Sequence, residues 1–227
     1  VRVEPVHTIY VEAERVRIES TLKYRFRGAR AAGLKFDMAD WVFDRLTPDV
    51  LLDFPLERAG QSELQIPFRP GAAPPTELEL KLEAHRDLRG MTEQLSLHFP
   101  RPVADIVAPA TIQVFTADNV ELTPQNSELV SLSPETPTAR APDKPHPSFL
   151  YRDVGGEEPA HFVAGLRKLE RVTTTSARAT VRIDRQQVQI EQRLEYRVAH
   201  EALRNLTFLV PREIAASENF NLLVDGK

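Results

Sequence analysis

Apolar and polar residues alternate with a period of two along most of this chain. Val16, Ile18, Leu22, Tyr24 and Phe26 fall on one side of an extended segment. Arg17, Glu19, Thr21, Lys23, Arg25 and Arg27 fall on the other. Successive side chains of a strand point to opposite faces of its sheet, so the pattern predicts a half-buried strand over 16–26. Gly28 and Gly33 bracket a turn, after which Leu34, Phe36 and Met38 alternate again. Val1–Val6 alternates from the first residue. Further strands are predicted at 64–68, 78–85, 95–99, 111–115, 120–122 and 129–132. In the second of these Leu78, Leu80, Leu82 and Ala84 face one way and Glu77, Glu79, Lys81 and Glu83 the other. Segment 158–169 fits a helix or a strand, and the alternation of Phe162, Ala164 and Leu166 favours a strand. Segments 29–32 and 200–204 are short enough to be turns. Prolines at 67, 70, 74, 75, 100, 102, 109 and 124 stand in or beside the gaps, where they mark strand ends. Short strands at this spacing predict an all-β fold of the antiparallel sandwich type.

Residues 133–148 break the pattern. They include five prolines and no large apolar side chain, a composition that cannot bury a face. Such a stretch is a linker or a long exposed crossing, and the expected organisation is a first β-sandwich unit over 1–132, a Pro-rich linker over 133–148 and a second β-rich unit over 149–227.

Comparing the chain with itself at a shift of 172 gives a second organising signal. Val16–Phe26 lies over Val188–Val198 without a gap. Leu34 and Phe36 fall on Leu206 and Phe208, and Thr8 falls on Thr180. Eleven of the forty-six positions from 8 to 53 are identical to their partners, against about three from ordinary composition. The retained positions follow the inward face of the predicted strands, as a shared fold requires. The shift therefore predicts tandem β-units, the second repeating part of 1–55. Tyr24 and Tyr196 are expected in equivalent, buried places, and Arg25 and Arg197 in solvent. Segments 34–38 and 206–210 are expected as matching strands. The strand patterns at both chain ends, with no initial methionine, read as a piece of a longer polypeptide.

Composition narrows the chemistry. With 29 basic and 33 acidic residues the net charge is −4, so no general attraction to nucleic acid or anionic lipid arises. No apolar run has the length of a membrane-spanning helix. The absence of cysteine excludes disulfides, thiolate metal sites and cysteine nucleophiles. Abundant Arg, Ala and Pro suggest a bacterial source.

Few residues fall in catalytic or metal-binding patterns. The six histidines form no zinc-helix spacing. His85 and His98 end consecutive predicted strands and could meet with Glu83 around zinc, or stand as two exposed strand-end histidines. Asp37, Asp40, Asp44, Asp49, Asp53 and Glu57 form an acidic cluster without the spacing of a calcium loop, and solvated surface is the plainer reading. Trp41, Phe43 and Phe54 could stack a sugar or pack the edge of the sandwich. Gly155-Gly156 precedes two glutamates, which would repel phosphate and suit a turn. Ser96 and Ser176 lack a histidine–acid context. No catalytic, cofactor-binding or metal residue is assigned.

The long amphipathic strand, short turn, Leu-x-Phe strand and following Val-Leu-Leu-Asp or Leu-Leu-Val-Asp resemble the non-catalytic β-saddle domains that begin zinc aminopeptidases of the aminopeptidase N type. About 45 residues carry that resemblance, twice, as pattern rather than motif. It implies an accessory β-domain of a hydrolase, and the family's zinc-binding helix has no counterpart here.

The expected function is a non-enzymatic structural or interaction module from a larger multi-domain bacterial envelope or extracellular protein. Its partners would be neighbouring domains and other proteins, without cofactor, nucleic acid or membrane insertion. The alternatives are the accessory hydrolase domain and a glycan- or calcium-binding module.

Overall fold

A computed structural model describes residues 1–27, 32–48, 52, 62–70, 76–88, 93–136, 147–155, 158–200, 202–203, 205–216 and 220–224. The described chain is nearly all β. Its strands are β1 (Arg2–Val11), β2 (Arg15–Arg25), β3 (Gly33–Asp37), β4 (Val42–Thr47), β5 (Glu63–Pro67) and β6 (Glu77–Asp87), followed by β7 (Gln94–His98), β8 (Arg101–Pro102) and β9 (Ile106–Val107). Then come β10 (Thr111–Thr116), β11 (Val120–Pro124), β12 (Leu132–Pro134), β13 (Phe149–Asp153), β14 (His161–Lys168), β15 (Val172–Ile183) and β16 (Val188–Ala199), with one short helix, α1 (Arg212–Ala215). The chain divides into two compact units, Val1–Arg171 and Val172–Lys227.

In the first unit the largest sheet runs β12-β13-β10-β1-β2-β6-β4, with β9 also on β1. Its centre is the pair β1–β2, where Val3 stands opposite Tyr24 and Val11 opposite Val16. The inward residues of β2 are buried and its charged residues are outside, as the alternation predicts. Two three-stranded sheets, β11-β14-β7 and β5-β3-β8, complete the unit. Side chains from all three sheets share one buried cluster, with Ile9 and Ile18, Phe36 and Ile66, and Leu97 and Phe162 among its members. Most pairings are antiparallel, but β1 pairs β10 and β9 in parallel.

The outward charges of β2 and β6 meet across the strands: Arg25 with Glu77, Lys23 with Glu79 and Glu19 with Lys81. These exposed pairs specify register more than they stabilise, at ~0–1 kcal/mol each.

The boundary expected at 133–148 is not where the units divide. Ser133 and Pro134 pair with Arg152 and Tyr151, and Ser148 Oγ lies 2.9 Å from Thr116 Oγ1. The Pro-rich stretch thus joins two neighbouring antiparallel strands of one sheet, and β13 and β14 belong to the first unit. Composition reports only that such a segment buries little, which holds for a long surface crossing as well as for a linker. Residues 137–146 lie outside the described residues.

The second unit contains the hairpin β15–β16 and α1. Segment 206–210, expected as a strand, forms none, although Phe208 meets Tyr196 edge-on with ring centroids 6.1 Å apart. The hairpin has the register of the first one. Thr175 stands opposite Tyr196, Thr180 opposite Glu191 and Ile183 opposite Val188, each pair displaced by 172 from one in β1–β2. The turns match as well: Glu12 N–H donates to Arg15 O at 2.9 Å, and Asp184 N–H donates to Gln187 O at 3.0 Å.

Candidate functional site

Three places in the described residues carry side chains beyond simple packing. The first is the junction of β6, β7 and β14. His161 stands opposite His98 across β14–β7, and their rings stack with centroids 4.2 Å apart. His161 Nε2 lies 2.7 Å from Ser96 Oγ. Arg86 of β6 donates to Ser96 O at 2.7 Å and pairs with Asp40, while Trp41 Nε1–H donates to His98 O at 2.6 Å. Burial and then the neighbouring His98 hold the His161 ring below the usual histidine pKa, so it is neutral at neutral pH.

A serine beside a neutral imidazole is the first half of a nucleophile–base pair. The rest of a triad is missing among the described residues. No carboxylate among the described residues hydrogen-bonds His161: Asp40 is engaged by Arg86, and Glu128 accepts from Gln94 Nε2 at 3.0 Å. The network ties β6 to β7 and β14. The sequence offers Ser96 no histidine–acid context, and its histidine partner is 65 residues away and arrives through the β7–β14 register.

The second place is a cleft of about 260 Å³ lined by His7, Phe99, Arg101, Pro109, Asp153 and Gly155 among others. His7 is fully buried, its Nδ1 is 2.7 Å from Ser20 Oγ, and its ring stacks on Phe99 at 5.7 Å. Desolvation lowers its pKa to about 4, so the ring is an uncharged core element. Ser20 is buried as well, at 1% exposure.

The remaining candidates are dispersed. His85 and His98 do not meet, because consecutive β6 and β7 enter different sheets. His85 Nδ1 instead lies 2.6 Å from Asp44 Oδ1. Trp41 is buried, so it packs rather than offering a stacking platform; Phe43 is half-buried and Phe54 lies outside the described residues. Asp37 caps a turn by accepting from Ala39 N–H at 3.0 Å, and Asp40 and Asp44 are paired as above. Asp49, Asp53 and Glu57 lie outside the described residues. No group of three or more histidines and carboxylates suited to a metal occurs among the described residues.

The third place is the β15–β16 hairpin. Val181, Ile183, Val188 and Ile190 are each more than half exposed, although Ile9, Val11, Val16 and Ile18 are buried at the same positions of the first hairpin. No β-strand among the described residues pairs with the outer edge of β16 or of β15. An exposed apolar face and two edges without a paired strand set this hairpin apart among the described residues. Among the described residues no helix is long and apolar enough to cross a membrane. No family model matches this sequence, and no curated protein matches it.

Proposed function

We propose that the chain is a non-enzymatic β-sandwich module, one of a tandem series within a larger multi-domain bacterial envelope or secreted protein. It acts as a structural spacer or interaction scaffold, and its partners are neighbouring domains and other proteins. The observation that carries this reading is the common register of the two hairpins, down to the turn hydrogen bond. A repeated unit that keeps its inward residues, Tyr24 and Phe36 included, while its histidine and tryptophan are replaced has been held for its shape. His7 becomes Ala179, and Trp41 becomes Glu213. The polar groups of the first unit add to this reading, since each cluster is occupied by partners within the fold.

The test is a turnover assay of the purified chain on aminoacyl, ester and glycoside substrates, with zinc, with calcium and with chelator. The expected result is no turnover, no stoichiometric metal by elemental analysis and a melting temperature unmoved by calcium or chelator. Saturable hydrolysis, or a metal retained through dialysis and lost together with activity, overturns the reading.

A further inference from the structure

The outer edge of β16 is defined by its turn. The bond from Asp184 to Gln187 closes a two-residue loop, so backbone alternation directs Gln189, Glu191, Arg193, Glu195 and Arg197 to bond β15. Ile190, Gln192, Leu194, Tyr196 and Val198 turn their N–H and C=O groups outward. The first hairpin uses the equivalent groups: Phe26, the counterpart of Val198, donates its N–H to Thr76 O at 2.9 Å beside β6.

The solvent row of β16 reads Glu191, Arg193, Glu195, Arg197, alternating in sign. A strand with the sequence of β6, laid on β16 as β6 lies on β2, places Glu77 against Arg197 favourably. It also places Glu79 against Glu195, Lys81 against Arg193 and Glu83 against Glu191. Like charges directly opposite are destabilising, so β6 is the wrong partner. The right partner carries an acid opposite Arg197, a base opposite Glu195, an acid opposite Arg193 and a base opposite Glu191. Read in the antiparallel direction, β16 itself has that order.

We infer that β16 is a self-pairing edge at which two copies of this chain join antiparallel about Leu194, making one four-stranded sheet. Arg193 then faces Glu195 of the second copy and Glu191 faces its Arg197, each twice by the two-fold symmetry. On the apolar side Leu194 meets Leu194, Ile190 meets Val198 and Gln192 meets Tyr196. Moving the axis one residue, to Arg193, sets Arg193 against itself and Glu191 against Glu195, so charge selects the register. Arg193 also stands opposite Arg178 in β15, and neither has a carboxylate partner among the described residues; Glu195 of the second copy supplies one. The other edge is unsuited, because β15 carries Arg178 and Arg182 and no acid. Pairing at β16 requires no tandem array, and it stands or falls separately from the module reading.

Sedimentation equilibrium on the 227-residue chain tests the assignment. The expected mass is twice 25.7 kDa at high concentration. Arg193→Glu puts Glu against Glu195 of the second copy and weakens the dimer by about tenfold or more. The same change sets Glu opposite Arg178, which keeps the hairpin itself intact. Adding Glu195→Arg restores opposite charges and the dimer. The chain has no cysteine, so Leu194→Cys introduces a single thiol, which traps the dimer as a disulfide under oxidation. A chain that stays monomeric overturns the inference and leaves the edge to another strand, of this or another polypeptide. So does a dimer indifferent to Arg193→Glu.

Discussion

Tyr24 and Tyr196 hold one register position in two hairpins and differ in surroundings. Tyr24 stands opposite Val3, is 2% exposed and stacks on Phe26 at 5.8 Å. Tyr196 stands opposite Thr175, is half-buried and touches Phe208 edge-on. The strand pattern places both rings, but burial depends on the layer above them. In the first unit β3, β5, β7 and β14 contribute that layer.

Tyr24→Ala should therefore cost ~3–5 kcal/mol, the range for a large aromatic removed from a core. Tyr196→Ala should cost ~1–2 kcal/mol, in keeping with partial burial. Urea unfolding of the two variants checks the difference. Equal losses would show that the second hairpin is covered in solution as fully as the first.

His7 gives the fold an acid sensitivity. Its folded pKa of about 4 lies below the ordinary 6.5, so the unfolded chain binds the proton more tightly. The stability from neutral His7 is whole above pH 6.5 and drains away as pH falls towards 4. The loss reaches about 3 kcal/mol below that. His161, lowered in the same direction, adds to it. Unfolding free energies at pH 7 and pH 4 should converge markedly in His7→Gln. An unchanged pH slope in that variant would reject the assignment.

Gly33 is fixed by close approach of backbone. A Cβ built there would stand 2.5 Å from Ile66 O and 2.7 Å from Pro67 Cα on the adjoining β5. Backbone atoms cannot swing aside as a side-chain tip can. Gly33→Ala should cost ~1–3 kcal/mol, as overpacking does, read as a lower urea midpoint. A neutral result would mean that β3 and β5 separate at this end without cost.

Residues 1–171 should fold alone. Every member of the buried cluster lies between Val3 and Ala164. A chain ending at Arg171 is expected to keep the main melting transition of the longer chain within a few degrees. Loss of cooperative melting would place part of the core in the second unit.

Strands with strict alternation were legible from sequence: β2, β3, β5, β6, β7 and β10 appear where the pattern puts them. β4 was not, because a bulge between Phe43 and Arg45 breaks its alternation, and its Asp44 reads in sequence as part of a solvated acidic surface. β15 was missed because seven of its twelve positions are Thr, Ser or Arg, which leaves little apolar contrast. The Ser96–His161 contact and the stacked histidines depend on a pairing between distant segments. Local pattern carries no information about that, whereas the repeat does inform on register, since it compares two copies of the same local pairing.

The parallel pairing of β1 with β10 sets an order of events as the chain is made. Val6 is opposite Thr111, so the first strand waits for a partner 105 positions later. The antiparallel link to β2 closes through a four-residue turn and can form almost at once. The emerging molecule must then carry an open-edged hairpin with one apolar face until β6 and β10 arrive on either side. Non-local closure of this kind slows folding and leaves sticky intermediates. The β15–β16 hairpin is a standing picture of that early state: same register, same turn, and no strand of the described residues on either edge.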